Sequence, residues 1–399
     1  MNVLFRMTRS LVSILAFLYI IAGFPVIMMA ILLLCHAETM QARIFTIAVM
    51  LLFPVPILLW WSMYYRKRME HLSTAGVLLL TAALLLALVY SQSSTGISIP
   101  GSGVQSHFTG NASFNRMSPA NLVPEIDQLK LATYVLPYMD PIIDRLGAMH
   151  VRNVFLKIYR EMDKSPEFEC LGSVLGYAYR DIFLKSRPAG HFYEYVPKTE
   201  HSDPLPAIIF LHGSLGNFKG YLWVWKSFAD KNGFAFFAPT FGTGDWDLNG
   251  GVETVERMRQ YCLGRSDIDG RRIYLAGLSN GGMGVTRTAE KYPSAYAGLV
   301  FISAVIEPEI ISGDSFIAGW KGRSVLVLHG SKDDRISARS ISDSVDLLRK
   351  NGVNVKNKSY PYEDHFMMFS WWHVVSKDIA EWIRQEQNRD EAPKGEPPK

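Results

Sequence analysis

The residues Gly277, Leu278, Ser279, Asn280 and Gly281 spell GxSxG directly after the apolar run Arg272 to Ala276, and this pairing constrains the fold more than any other feature of the chain. A buried strand feeding a serine between two glycines, with Gly282 to Lys291 as a helix behind it, predicts a strand, a sharp turn and a helix. Gly277 and Gly281 must lack side chains for the backbone to bend so tightly without a clash. A serine at the tip of such a turn presents its hydroxyl beyond the sheet. An ordinary turn or N-cap serine satisfies the same five letters, so the flanking sequence has to decide between the two.

Those flanks supply the partners that a nucleophilic serine needs. Upstream, Ala207 to Leu211 reads as a short buried strand running into His212-Gly213-Ser214-Leu215-Gly216. A glycine-rich turn there can aim backbone N–H groups at one point, so the N–H of Ser214 or Leu215, together with that of Asn280, is assigned to an oxyanion hole. Downstream, Ser324 to Gly330 is a third buried strand and is followed by Asp333 and Asp334. Val355 to Tyr360 also reads as a strand, and His365 lies in the loop after it. A serine hydroxyl is a weak nucleophile at neutral pH, so a histidine must take its proton and a carboxylate must orient that histidine. His212 and His329 precede glycines and read as structural, whereas the position of His365 suits the base. The carboxylate is Asp333 or Asp334, the other one capping the next helix or facing solvent.

From about His191 to Arg384 the sequence resembles the α/β-hydrolase superfamily, in particular its prolyl oligopeptidase-like, dienelactone hydrolase-like and polyhydroxybutyrate depolymerase-like esterase branches. The residues that carry the resemblance are HGxxG at 212–216, GxSxGG at 277–282, HGxxD at 329–333 and Glu363-Asp364-His365. It implies a mostly parallel sheet with helices on both faces and a site at the carboxyl ends of the strands. It also implies that the triad is Ser279, Asp333 and His365, with Asp334 as the alternative acid. The expected activity is a serine hydrolase that cleaves a carboxylic ester, thioester or amide through an acyl-enzyme. Alternatives on the same triad are a prolyl oligopeptidase-like peptidase and an acyltransferase, because one fold hosts many chemistries.

The first quarter of the chain is different. Residues 11–34, 44–64 and 72–90 are three apolar stretches long enough to cross a bilayer, the second interrupted by Pro54 and Pro56. Arg6 and Arg9 precede the first, Arg66, Lys67 and Arg68 separate the second from the third, and the loop from Cys35 to Arg43 holds one arginine. The positive-inside rule then places the N-terminus in the cytoplasm and everything after the third span on the periplasmic or extracytoplasmic side. Trp60, Trp61, Tyr64 and Tyr65 suit an interfacial aromatic belt.

Between these halves, residues 93–120, rich in Ser, Gly and Asn, read as a linker, and residues 121–185 as helices packing on the hydrolase, broken at Pro137 and Pro141. The catalytic domain is expected over 186–385, with the first strands between Gly176 and Pro197. A disordered tail is expected over 386–399. The 17 residues of Val305 to Lys321 are too few for a large lid, which predicts an accessible site. Phe366 to Trp372 is apolar enough either for an acyl pocket or for core packing. With 41 Lys and Arg against 37 Asp and Glu, and no basic stripe, no nucleic-acid partner is expected. No metal or cofactor motif is visible, so the expected partners are a small-molecule, lipid or peptide acyl substrate and the membrane. Three cysteines make no disulfide framework, and Cys170 with Cys262 is the one pair left open.

Overall fold

The computed structural model describes residues 2–62, 68–185, 187–198 and 203–391. The chain divides into two compact units, Met1–Thr95 with Asn115–Arg152, and Gly96–Phe114 with Asn153–Lys399.

The first unit contains three helical stretches long and apolar enough to cross a membrane, Ser10–His36, Met40–Ser62 and Arg68–Gln92. Their large apolar side chains are mostly exposed, among them Phe17, Phe24, Leu80 and Leu84. The second stretch is two helices, Met40–Leu52 and Val55–Ser62, because Pro54 and Pro56 interrupt it. The Tyr19 hydroxyl donates to the Phe53 carbonyl at the break, at 3.0 Å. That bond supplies a partner to backbone which apolar surroundings would otherwise leave unsatisfied. Tyr64, Tyr65, Arg66 and Lys67, on which the aromatic belt and the charge argument partly rest, lie outside the described residues. Helix Glu125–Met139 runs through Pro137 instead of breaking there, and it stops at Asp140, ahead of Pro141. It is tied to the loop after the first apolar helix: the buried Asp127 accepts from the Glu38 N–H and from the Thr39 hydroxyl, the latter at 2.6 Å, and Lys130 pairs with Glu38.

The second unit is built on an eight-stranded sheet. Its strands are β1 Val104–Phe108, β2 Pro188–Tyr195, β3 Leu205–Leu211, β4 Ala235–Phe241, β5 Ile268–Leu278, β6 Gly298–Ile302, β7 Ser324–Gly330 and β8 Asn354–Tyr360. The order is β1-β2-β4-β3-β5-β6-β7-β8; β1, β2 and β4 pair antiparallel and the rest parallel. Helices cover both faces, which is why β3, β4, β6, β7 and the second half of β5 are apolar in nearly every position. Along β3 the side chains alternate, as strand geometry requires. Phe210 meets Tyr221 and Trp225 of helix Lys219–Asn232 on one face. Ile209 and Leu211 join Val255, Met258, Val285 and Ala289 in the core on the other. This is an α/β-hydrolase fold.

Three further sequence expectations differ from the structure. Strand β1 lies inside the stretch read as linker; with Gln105, Ser106 and His107 it is a half-polar edge strand and carries no apolar signal. Residues Leu175–Phe183 form a helix ahead of β2, where a strand was expected to begin. The last helix, Trp372–Glu391, extends past Gln385 because nothing before Pro393 breaks it; residues 392–399 lie outside the described residues. Residues 115–152 group with the apolar helices and 153–185 with the sheet. Two short helices, Pro308–Ile311 and Asp314–Trp320, occupy the segment after β6.

Candidate active site

The strand β5 ends at Leu278, and only two residues separate it from helix Gly281–Lys291, so Ser279 occupies a turn with almost no length to spare. Its φ is +52°, a left-handed conformation that is costly for a residue bearing a Cβ. The turn survives because its neighbours over-determine it. The Ser279 N–H donates to the Ser303 carbonyl at 3.1 Å, and the Ser279 carbonyl accepts from Val305 and Gly282 at 3.0 Å each. A Cβ on Gly277 would lie 2.6 Å from the Gly281 backbone, and one on Gly281 would run into the Leu211 carbonyl oxygen. Gly281→Ala is therefore expected to cost about 1–3 kcal/mol through forced backbone movement, read as a lower melting temperature of the full chain in detergent. A wild-type melting temperature would mean that the turn relaxes freely.

His365 stands in the loop after β8. Its Nε2 lies 3.0 Å from Ser279 Oγ and its Nδ1 lies 2.9 Å and 3.1 Å from the two Asp333 oxygens. The three side chains form one hydrogen-bonded line, drawn from residues 86 apart (Ser279, His365) and 32 apart (His365, Asp333). Asp333 is buried, and its Oδ1 also accepts from the Arg335 and Ile336 N–H groups at 2.9 Å each. Burial alone would raise its pKa. The His365 bond and charge, with those two N–H groups, outweigh burial and hold the carboxyl below its usual value. Asp334 is exposed to solvent, so the carboxylate that meets the imidazole is that of Asp333. The loop that carries His365 is itself pinned, since Asp364 Oδ1 accepts from the Phe366 N–H at 2.8 Å and Glu363 Oε2 from the Ser370 hydroxyl at 2.8 Å.

The turn 212–216 passes close over the serine, as a Cβ on Gly213 would lie 3.0 Å from Ser279 Cβ. Ser214 and Leu215 are exposed, Asn280 is half-buried, and Leu215 has φ +76°. His212 is fully buried and holds this turn: its Nδ1 donates to the Gly213 carbonyl at 2.8 Å and its Nε2 accepts from the Phe241 N–H at 3.1 Å. Trp246, in the stretch Phe241 to Asp247 that the sequence places beside the nucleophile, donates its indole N–H to the His212 carbonyl at 2.8 Å. Arg287 and Glu307 pair at 2.6 Å and tie the helix after Ser279 to the segment after β6. No motif signals either of these supports. Met367, Met368 and Phe369 are buried, and the Phe369 ring contacts Phe155 at 5.0 Å and Tyr221 at 5.4 Å, so this part of the apolar run is core. All three cysteines are free thiols, and the Cys170–Cys262 pair left open by the sequence is not formed.

Two buried histidines give the domain a pH dependence. Burial pushes His212 down to about 4, and burial followed by the nearby His107 charge pushes His191 down to about 3. Unfolded histidine takes its proton as pH falls through about 6.5. Between that value and the lowered ones the unfolded state binds more protons, so stability falls as pH falls. Asp333, held low in the folded state, withdraws its own contribution only below its ordinary 3.8. The full chain in detergent is expected to melt at a lower temperature near pH 5 than near pH 7.5; equal melting temperatures would show that these rings protonate while folded.

The fold is that of an α/β-hydrolase, and Ser279, His365 and Asp333 stand in the arrangement that a carboxylesterase-like serine hydrolase uses. Residues 247–384 match the phospholipase/carboxylesterase family. A bifunctional acetylxylan esterase/xylanase from Neocallimastix patriciarum is 25% identical over 142 residues, which span 34% of this chain and 20% of that protein. Among solved structures, the fluorophosphonate-binding serine hydrolase F of Staphylococcus aureus is similar at 17% identity, over 48% of this chain and 91% of that one, with a TM-score of 0.42. Est1E of Butyrivibrio proteoclasticus is similar at 16% identity, over 50% of this chain and 94% of that one, with a TM-score of 0.41.

Proposed function

We infer that this chain is a membrane-anchored serine esterase whose catalytic domain works outside the cytoplasm. The observation that carries the reading is the line from Ser279 Oγ through His365 to the buried Asp333. Ser279 attacks the ester carbonyl while His365 Nε2 takes its proton, then returns it to the departing alcohol. Asp333 keeps the other ring proton on Nδ1 and stabilises the imidazolium. The N–H of Asn280, with that of Ser214 or Leu215, receives the oxyanion. Water repeats the sequence on the acyl-enzyme and releases the acid.

The anchoring part rests on the three apolar helices and the distribution of Lys and Arg around them. One further contact supports it. Asp127, which follows the third apolar helix, bonds to Glu38 and Thr39, which precede the second. These residues share one side only if the two intervening helices cross an even number of times, as a three-span anchor does.

The test is a matched pair of substrates, p-nitrophenyl acetate and p-nitroacetanilide, turned over by the detergent-solubilised full chain. Ester hydrolysis far above anilide hydrolysis is expected. No ester turnover, or faster anilide cleavage, would contradict the assignment.

A further inference from the structure

The helical hairpin of the first unit carries an apolar surface that its own packing leaves uncovered. Helix Glu125–Met139 gives way to a turn at 140–144 and then to helix Arg145–Met162. Around this tip Tyr138 is 73% exposed, Met139 79%, Ile142 48%, Leu146 70% and Met149 46%. Large apolar side chains gathered this closely on a surface mark a contact with something other than water. The polar residues of the tip are occupied locally: Asp140 Oδ1 accepts from the Ile142 N–H at 2.9 Å, Asp144 Oδ1 from the Gly147 N–H at 2.7 Å, and Arg145 donates to the Tyr138 hydroxyl at 3.2 Å.

Other contacts within the same unit fix the level of the tip. His36, the last residue of the first apolar helix, stacks on Tyr134 with ring centroids 4.1 Å apart, and the Arg152 guanidinium lies 3.8 Å from the centroid of that same ring. Leu33, Ala37, Ala42 and Val123 form one small core with Phe45 and Leu131 against it. Both helices of the hairpin thus pass beside the point where the apolar helix ends. From Tyr134 to Met139, and from Arg152 back to Met149, the advance is less than about 10 Å at 1.5 Å per residue. That is the depth of a headgroup layer, where tyrosine, arginine and apolar side chains are accommodated together.

We propose that residues 138–149 are an interfacial element lying in the headgroup layer of the outer leaflet, a second attachment to the bilayer besides the spans. Tyr138, Met139, Ile142, Leu146 and Met149 meet acyl chains, while Asp140, Asp144 and Arg145 stay among headgroups and water. This rests on the reading that the three apolar helices cross a bilayer, and the test separates the two. An environment-sensitive fluorescent amino acid is placed in turn at 139, 146, 80 and 263 of the full chain in phosphatidylcholine/phosphatidylglycerol nanodiscs. Quenching by aqueous iodide is compared with quenching by nitroxides carried at shallow and deep positions on the lipid. Leu80 is 63% exposed on the third apolar helix and Leu263 is 42% exposed on the sheet-containing unit, so they serve as lipid and water references. The expected result is loss of iodide quenching and gain of shallow-nitroxide quenching at 139 and 146, with deep quenching at 80 and iodide quenching at 263. Iodide access at 139 and 146 equal to that at 263, with 80 still quenched from the lipid, overturns the inference and leaves the spans standing. Shielding from both quenchers at 139 and 146 means that protein covers them and also overturns it. Iodide access at 80 sinks the membrane reading itself.

Discussion

Ser279→Ala is expected to lower the turnover of an activated ester by about 10⁴- to 10⁶-fold, since no other group can form the acyl-enzyme and only binding and oxyanion stabilisation are left. The substitution removes one oxygen at a half-buried position and leaves the backbone bonds of the turn in place. Folding should therefore be preserved, with a melting temperature close to that of the wild type. His365→Ala should fall in the same range rather than multiply with it, because the two residues act as one unit. Additive losses in the double variant, read from initial rates at saturating ester, would argue that they do not.

The second large effect separates two adjacent carboxylates. Asp333→Asn should cost about 10⁴-fold in kcat, because a neutral amide facing Nδ1 favours the wrong imidazole tautomer and leaves the imidazolium uncompensated. Asp334→Asn should stay near the wild-type rate, since that side chain faces solvent. The comparison is made with one ester at one pH in the pair of variants. Equal losses, or a larger loss at 334, would mean that the bond between His365 and Asp333 is not the one catalysis uses.

These two aspartates also show where the sequence stops being informative. Neighbours in a loop differ in burial by the path of the backbone alone, and no periodicity reports that path. The HGxxD match favours Asp333 only by resemblance, whereas the structure shows its carboxylate buried against His365 and the Arg335 and Ile336 N–H groups. Ser279 and His365 are easier to find, because one sits between glycines after an apolar strand and the other follows the last parallel strand. Strands β3, β5 and β7 are legible for a related reason: a strand covered on both faces is apolar in every position and stands out from its surroundings. Strand β1 is paired on one side only and reads as Val-Gln-Ser-His-Phe in a Ser/Gly-rich stretch, so it is missed. The helix over 175–183 is missed because Tyr177, Ala178 and Tyr179 fit strand and helix equally well at that length. His212 and Trp246, which hold the turn 212–216, act through backbone groups, and such a role carries no spacing signature.

Fluorophosphonate labelling of the detergent-solubilised full chain, with the adducted residue mapped by mass spectrometry, tests the central claim most directly. A serine hydroxyl reacts with such a probe only when a base has activated it. The account predicts one adduct, on Ser279, present in the wild type and in Asp334→Asn, absent in Ser279→Ala and nearly lost in His365→Ala. An adduct on another residue, or Ser279 labelling that persists undiminished without His365, would contradict it.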